Sequence, residues 1–178
     1  MTKDDKLPLG ISEKAWKDMS DEDRDKLTGI SEFNLDFIVG DPMFRQGVTN
    51  KRFHFDVQDE LKKFLAIKVI AEPHPLGMFS PLVATAWHCF ILNTIQYEEF
   101  CQKYYGRTIH HVPGGGAGSD NSVWIAIYRE WFGEFPMIWM LDIGGTEIPK
   151  YAYSLNTEGA LTSRDLDSDD GQYAQPER

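Results

Sequence analysis

Apolar positions fall into a helical rhythm over most of the chain. In the segment FDVQDELKKFLAIKVI, residues 55–70, Val57, Leu61, Phe64, Leu65 and the run 67–70 recur at the i, i+4, i+7 spacing of an amphipathic helix. Pro73 and Pro75 end it. The next segment, FSPLVATAWHCFILNTIQYEEFCQKYYG, residues 79–106, carries the strongest local pattern. Ser80 suits an N-cap, Pro81 the first helical position and Gly106 the far end. Between them Val83, Ala86, Trp87, Phe90, Ile91, Thr94, Tyr97 and Cys101 mark a wide apolar stripe. That stripe predicts one long, mostly buried central helix.

The flanks are weaker. SEKAWKDMS and DEDRDKL, residues 12–27, read as two short helices capped by Ser12 and Ser20, the second stopped by Gly29. Residues 34–46 are helix-like but interrupted by Gly40 and Pro42. After the loop HVPGGGAGSDN, Ser119 or Asp120 can cap the helix SVWIAIYREWFG, which Gly133 and Pro136 end. MIWMLDIGG, residues 137–145, reads as an extended segment packing back on the helices. No internal repeat is present. The order predicts an all-α fold: a small single-domain helical bundle with an irregular C-terminal arm. Its parts are an N-terminal helical extension over residues 1–30, a helical core over 31–150, and an arm with a flexible acidic tail over 151–178.

Composition agrees with one globular core, since 42% of the 178 residues are apolar and 13% aromatic. No run approaches the ~18–20 apolar residues of a membrane span. The start MTKDDKLPLG lacks the apolar core of a secretory signal, so a cytoplasmic location is expected. The formal charge of −10 argues against nucleic-acid binding, which needs clustered Lys and Arg, and suits a basic protein partner. Residues 164–178 contribute five acids against two arginines, so part of that charge sits in the tail.

A set of local motifs carries a likeness. FNLDFI, DELKKFLAI, SPLVATAWHCFILNT, Tyr97 with Cys101, YGRTIHHVP and IYREWFGEFPMIW, together spanning residues 34–139, resemble the glycine-rich domain-containing protein-like family. These are bacterial relatives of the N-terminal region of plant glycine-rich domain proteins, whose plant members are implied to act in development and stress signalling. In that family's pattern Trp87 and His88 match a Trp-His-x-His motif, Cys101 a frequent cysteine, and His110 and His111 a histidine pair. Phe90 stands where the motif has its second histidine.

Candidate chemistry gathers in residues 87–116, which hold three of the five histidines and both cysteines. A metal site, for zinc or iron, draws on His88, His110, His111 and Cys101. The positions three and four after His88 are Ile91 and Leu92, and no Cys-x-x-Cys or His-Glu-x-x-His spacing occurs. A cross-site of His88 with His110 or His111 stays open, because the chain reverses after Gly106. On one continuous helix Cys89 and Cys101 lie about 18 Å apart along the axis and about 120° around it, so they neither bridge nor share a ligand. The structural reading makes the same histidines hydrogen-bond partners of backbone carbonyls at a helix and its end. A thiol nucleophile beside a histidine is a third reading, set against the inertness of buried cysteine. The loop GGGAGSD lacks the lysine of a phosphate-binding loop and reads as a connector.

Trp124, Ile127, Tyr128 and Trp131 share one helix face, which more often reads as core; five tryptophans, though, are many for one small core, so with Phe132, Phe135 and Trp139 the region also reads as an exposed docking surface. The leading expectation is therefore a non-catalytic cytoplasmic protein-interaction module without cofactor. It would bind its partner through Trp124, Trp131, Phe132, Phe135, Trp139 and the acidic tail. The second reading is a metal-binding protein or metal-dependent enzyme built on the histidines.

Overall fold

The structure is a computed structural model that describes residues 6–72, 77–111 and 121–148. Helices α1 (Glu13–Asp18) and α2 (Asp21–Glu32) open the fold. Ser12 and Ser20 cap them, their hydroxyls accepting from the amides of Ala15 at 3.2 Å and Asp23 at 3.1 Å. Gly29 does not stop α2. The helix runs through it because the missing side chain lets Tyr104 approach, its hydroxyl donating to the Gly29 carbonyl at 2.8 Å. Helices α3 (Asp36–Gly40) and α4 (Pro42–Gly47) form the interrupted pair, with Asp41 capping α4 by accepting from the Met43 amide.

Helix α5 (His54–Ile70) is the axis of the bundle and packs against α2, α6 (Pro81–Leu92) and α8 (Ser122–Phe132). Between α6 and α8 lies α7 (Thr94–Tyr104). Ser80 caps α6 through the Val83 amide, with Pro81 in the first turn. Gly133 leaves α8 at φ +84°, and Gly106 follows α7 at φ +73°. Among the described residues the fold is all-α. Its one departure is an antiparallel bridge between Leu141 and Glu147.

Two expected elements differ. The long helix over 80–106 is two helices that turn at Asn93. There the backbone leaves the helical region (ψ 66°), and both the Asn93 amide and its Nδ2 donate to the Cys89 carbonyl, closing α6. The core explains the break. On a straight helix Phe90 and Phe100 would lie about 15 Å apart along the axis. In the fold their ring centroids are 5.5 Å apart, and both meet Phe33. The second difference is the segment after Pro136, where Met137–Met140 is a 3-10 turn rather than an extended strand. It packs back on α6, the Ser80 hydroxyl donating to the Ile138 carbonyl.

The aromatic residues expected on a docking surface sit largely inside. Trp124 and Trp139 are fully buried and Phe135 nearly so, while Trp131 and Phe132 are half-buried against the core. They surround Phe64, Phe79, Tyr128 and one carboxylate, Glu60. Its Oε2 accepts from the Tyr128 hydroxyl at 2.5 Å and the Trp139 indole at 2.6 Å, and its Oε1 pairs with Lys63 at 2.7 Å. Polar handles satisfied by a buried acid let two large amphipathic rings enter the interior. A partner surface built on Trp124, Phe135 and Trp139 is therefore not available on this face. The acidic tail, the Ser119 or Asp120 cap and the glycine loop lie outside the described residues. Among the described residues, no helix is long and apolar enough to cross a membrane.

Candidate functional site

Consecutive residues of α6 divide between core and surface. Trp87 turns inward onto Phe64, and His88, next in the chain, faces outward. The Trp87 indole donates at 3.4 Å to the hydroxyl of Tyr97 on α7. Tyr97 in turn donates to the Ile109 carbonyl at 2.5 Å. That bond, with Ile109 itself buried, lays the strand of chain after Gly106 back along α7 toward α6. His111 is thereby delivered to His88.

The two rings meet edge to face, with centroids 4.6 Å apart and an interplanar angle of 83°. Their Nε2 atoms are 3.2 Å apart. His111 also lies edge-on to Trp87, with centroids at 4.8 Å. Partial burial lowers the pKa of both imidazoles, and His88 lowers that of His111 further by charge repulsion. A pair held so close favours neutral rings, and neutral rings offer lone pairs.

The histidines open on a cleft of about 600 Å³. Its apolar lining is Met43 from α4, Ile91 and Leu92 from the end of α6, and Ile109. Its polar lining is His110, Tyr97, Thr94, Thr108 and, as the one acid among the described residues, Glu98. A concave, mixed lining of this size is the ordinary form of a small-ligand site.

The fate of the sequence candidates divides cleanly. His88 and His111 come together; His110 lines the same cleft from an exposed position. Cys101 does not belong. It is fully buried beneath Tyr97 and is absent from the cleft lining, and burial raises its thiol pKa. Burial likewise pushes the Cys89 thiol up to about 11, which removes a thiolate nucleophile from the site. Among the described residues no three His, Cys, Asp or Glu side chains converge as a metal cage; the close pair is His88 and His111. Tyr97, Met43 and Glu98 were not singled out for the site from the sequence. Tyr97 shares the apolar stripe of core residues, and Met43 comes from a distant helix with no local signal.

No curated protein and no solved structure matches the chain. The resemblance to glycine-rich domain proteins is overturned by the family comparison, which finds an uncharacterised family instead. Phe90 accordingly marks no missing histidine; it is a core residue, tilted against Phe33 and Phe37 and edge-on to Tyr97 and Phe100. Residues 30–134, from the end of α2 through α8, match the UCP032817-like family model, and the chain belongs to the UCP032817-like family.

Proposed function

We propose that the protein binds a divalent transition-metal ion, zinc first among them, between His88 and His111 at the cleft. The observation that carries this reading is the 3.2 Å separation of the two Nε2 atoms. Two imidazole nitrogens, each about 2.0–2.1 Å from a zinc ion at the tetrahedral angle, stand about 3.3 Å apart. Without an ion the same contact is one N–H···N hydrogen bond at the long end of its range. The pair lines an open cleft, from which exchangeable ligands would complete the shell. The Tyr97–Ile109 bond supports the pair from behind, as an outer shell does in a metal centre.

The protein-docking reading has less behind it, because three of its five aromatic anchors are core. The test is zinc stoichiometry by elemental mass spectrometry after equilibrium dialysis, on the wild type, His88→Ala and His111→Ala. About one equivalent is expected in the wild type, lost in either variant while cooperative unfolding persists, since His88 is exposed. A wild type that retains no zinc, or variants that retain it all, would overturn the reading.

A further inference from the structure

We propose that two copies of this chain pair by exchange. Each straightens at Asn93, joins α6 and α7 into one continuous helix, and lays its α7 and α8 against the first six helices of the other copy. The corner between the two helices is a single residue. Asn93 has φ −82° and ψ 66°, so its φ is already near the helical value and only ψ differs. A rotation of about 110° about that one bond makes the helix continuous. No glycine or proline lies between Leu82 and Tyr105, and the apolar stripe keeps helical register across the corner. Little fixes the bend locally. The Asn93 amide and Nδ2 both serve the end of α6, and no side chain caps the start of α7. Straightening gives the first amides of α7 the last carbonyls of α6 as partners.

The surface at the corner argues for a second copy as the occupant. Leu92 is 66% exposed, and Ile95, at 78%, is the most exposed large apolar side chain among the described residues. In a continuous helix Ile91, Leu92 and Ile95 stand at i, i+1 and i+4 and form one patch at its middle. The two-fold axis of an exchanged pair passes beside the corner, so the patches of the two copies meet there and cover each other. The core contacts are remade between chains rather than lost. Phe100 of one copy packs on Phe33 and Phe90 of the other, and Tyr128 and Trp139 reach the other's Glu60, as they do within one chain. What changes on exchange is the corner, so its residues set the balance between one chain and two.

The test uses the full chain, refolded from urea over a series of concentrations and separated by size with light scattering. A dimer is expected whose share grows with concentration. On dilution it should return to monomer only as fast as the protein unfolds, whereas a surface pair re-equilibrates within minutes. Asn93→Ala favours helix at both corners of the dimer and should raise its association constant at least about tenfold. Asn93→Gly keeps the corner and disfavours the helix, and should lower that constant about tenfold. Thr94→Pro suits the first position of α7 but breaks a continuous helix, so only monomer should remain. Leu92→Asp should reduce the dimer share while the unfolding midpoint of the monomer stays unchanged, since the side chain is exposed. A wild type monomeric at every concentration, a dimer that dissociates within minutes of dilution, or a dimer share indifferent to both Asn93 variants overturns the proposal.

Discussion

Removing the buried acid at the centre of the aromatic core gives the sharpest stability prediction. Glu60 is 4% exposed and accepts from the Tyr128 hydroxyl and the Trp139 indole while pairing with Lys63. In Glu60→Ala both ring donors remain buried, and each unsatisfied donor costs about 1–3 kcal/mol. The Lys63 ammonium, whose side chain is 18% exposed, loses its partner but reaches water, so its share is small. The expected loss is about 3–5 kcal/mol, a third or more of the stability of a typical domain. At this chain length that lowers the melting temperature by roughly 10 °C. Urea unfolding followed by tryptophan fluorescence measures it directly, since Trp124 and Trp139 report on this region. Tyr128→Phe removes one donor and leaves the carboxylate two partners, so it should cost only about 1–2 kcal/mol. The double variant Glu60→Ala/Tyr128→Phe should be less destabilised than the sum of the two. A Glu60→Ala loss below 1 kcal/mol, or strict additivity, would refute the view that this acid holds the rings in place.

Three further outcomes follow from the packing. Gly29→Ala ordinarily stabilises a helix by about 1 kcal/mol, but here the new Cβ would lie 2.7 Å from Tyr104 Cε1, so thermal unfolding should show a loss of about 1–3 kcal/mol; a gain would mean that Tyr104 moves freely. The thiol of Cys89, held near 11 by burial, is about one-thousandth ionised at pH 8, so a disulfide reagent should label neither cysteine until the protein unfolds, and rapid native labelling would contradict the burial of both. Tyr97→Phe removes the bond to Ile109 that positions His111, and zinc affinity should fall about tenfold at a stability loss of about 1–2 kcal/mol; affinity unchanged despite the stability loss would make Tyr97 a core residue only.

How much of this was legible depended on whether the signal was local. Ser12, Ser20 and Ser80 were readable as caps because an N-cap depends on the next three residues alone. The corner at Asn93 was not, because the apolar stripe from Trp87 through Cys101 continues across it in helical register. Only the distant demand that Phe90 and Phe100 share Phe33 breaks the rod. Gly29 misled for the same reason: its neighbour Tyr104 lies 75 residues away. Nothing in DELKKF marks Glu60 as buried, since its two ring donors, the Tyr128 phenol and the Trp139 indole, arrive from the C-terminal third. The cross-site of His88 with a residue beyond Gly106 was foreseeable from the chain reversal. Which histidine would meet it, and that Cys101 would be sealed away, depended on Tyr97 and Ile109.

The corner at Asn93 has a topological consequence. It is a one-residue hinge, and His88 lies before it while His111 lies after it. Were Asn93 to adopt helical angles, α6 and α7 would fuse into a rod about 36 Å long and carry everything downstream into a second molecule. Two chains exchanged in this way would each complete the other's imidazole pair, so the site would survive domain swapping intact and be shared between subunits.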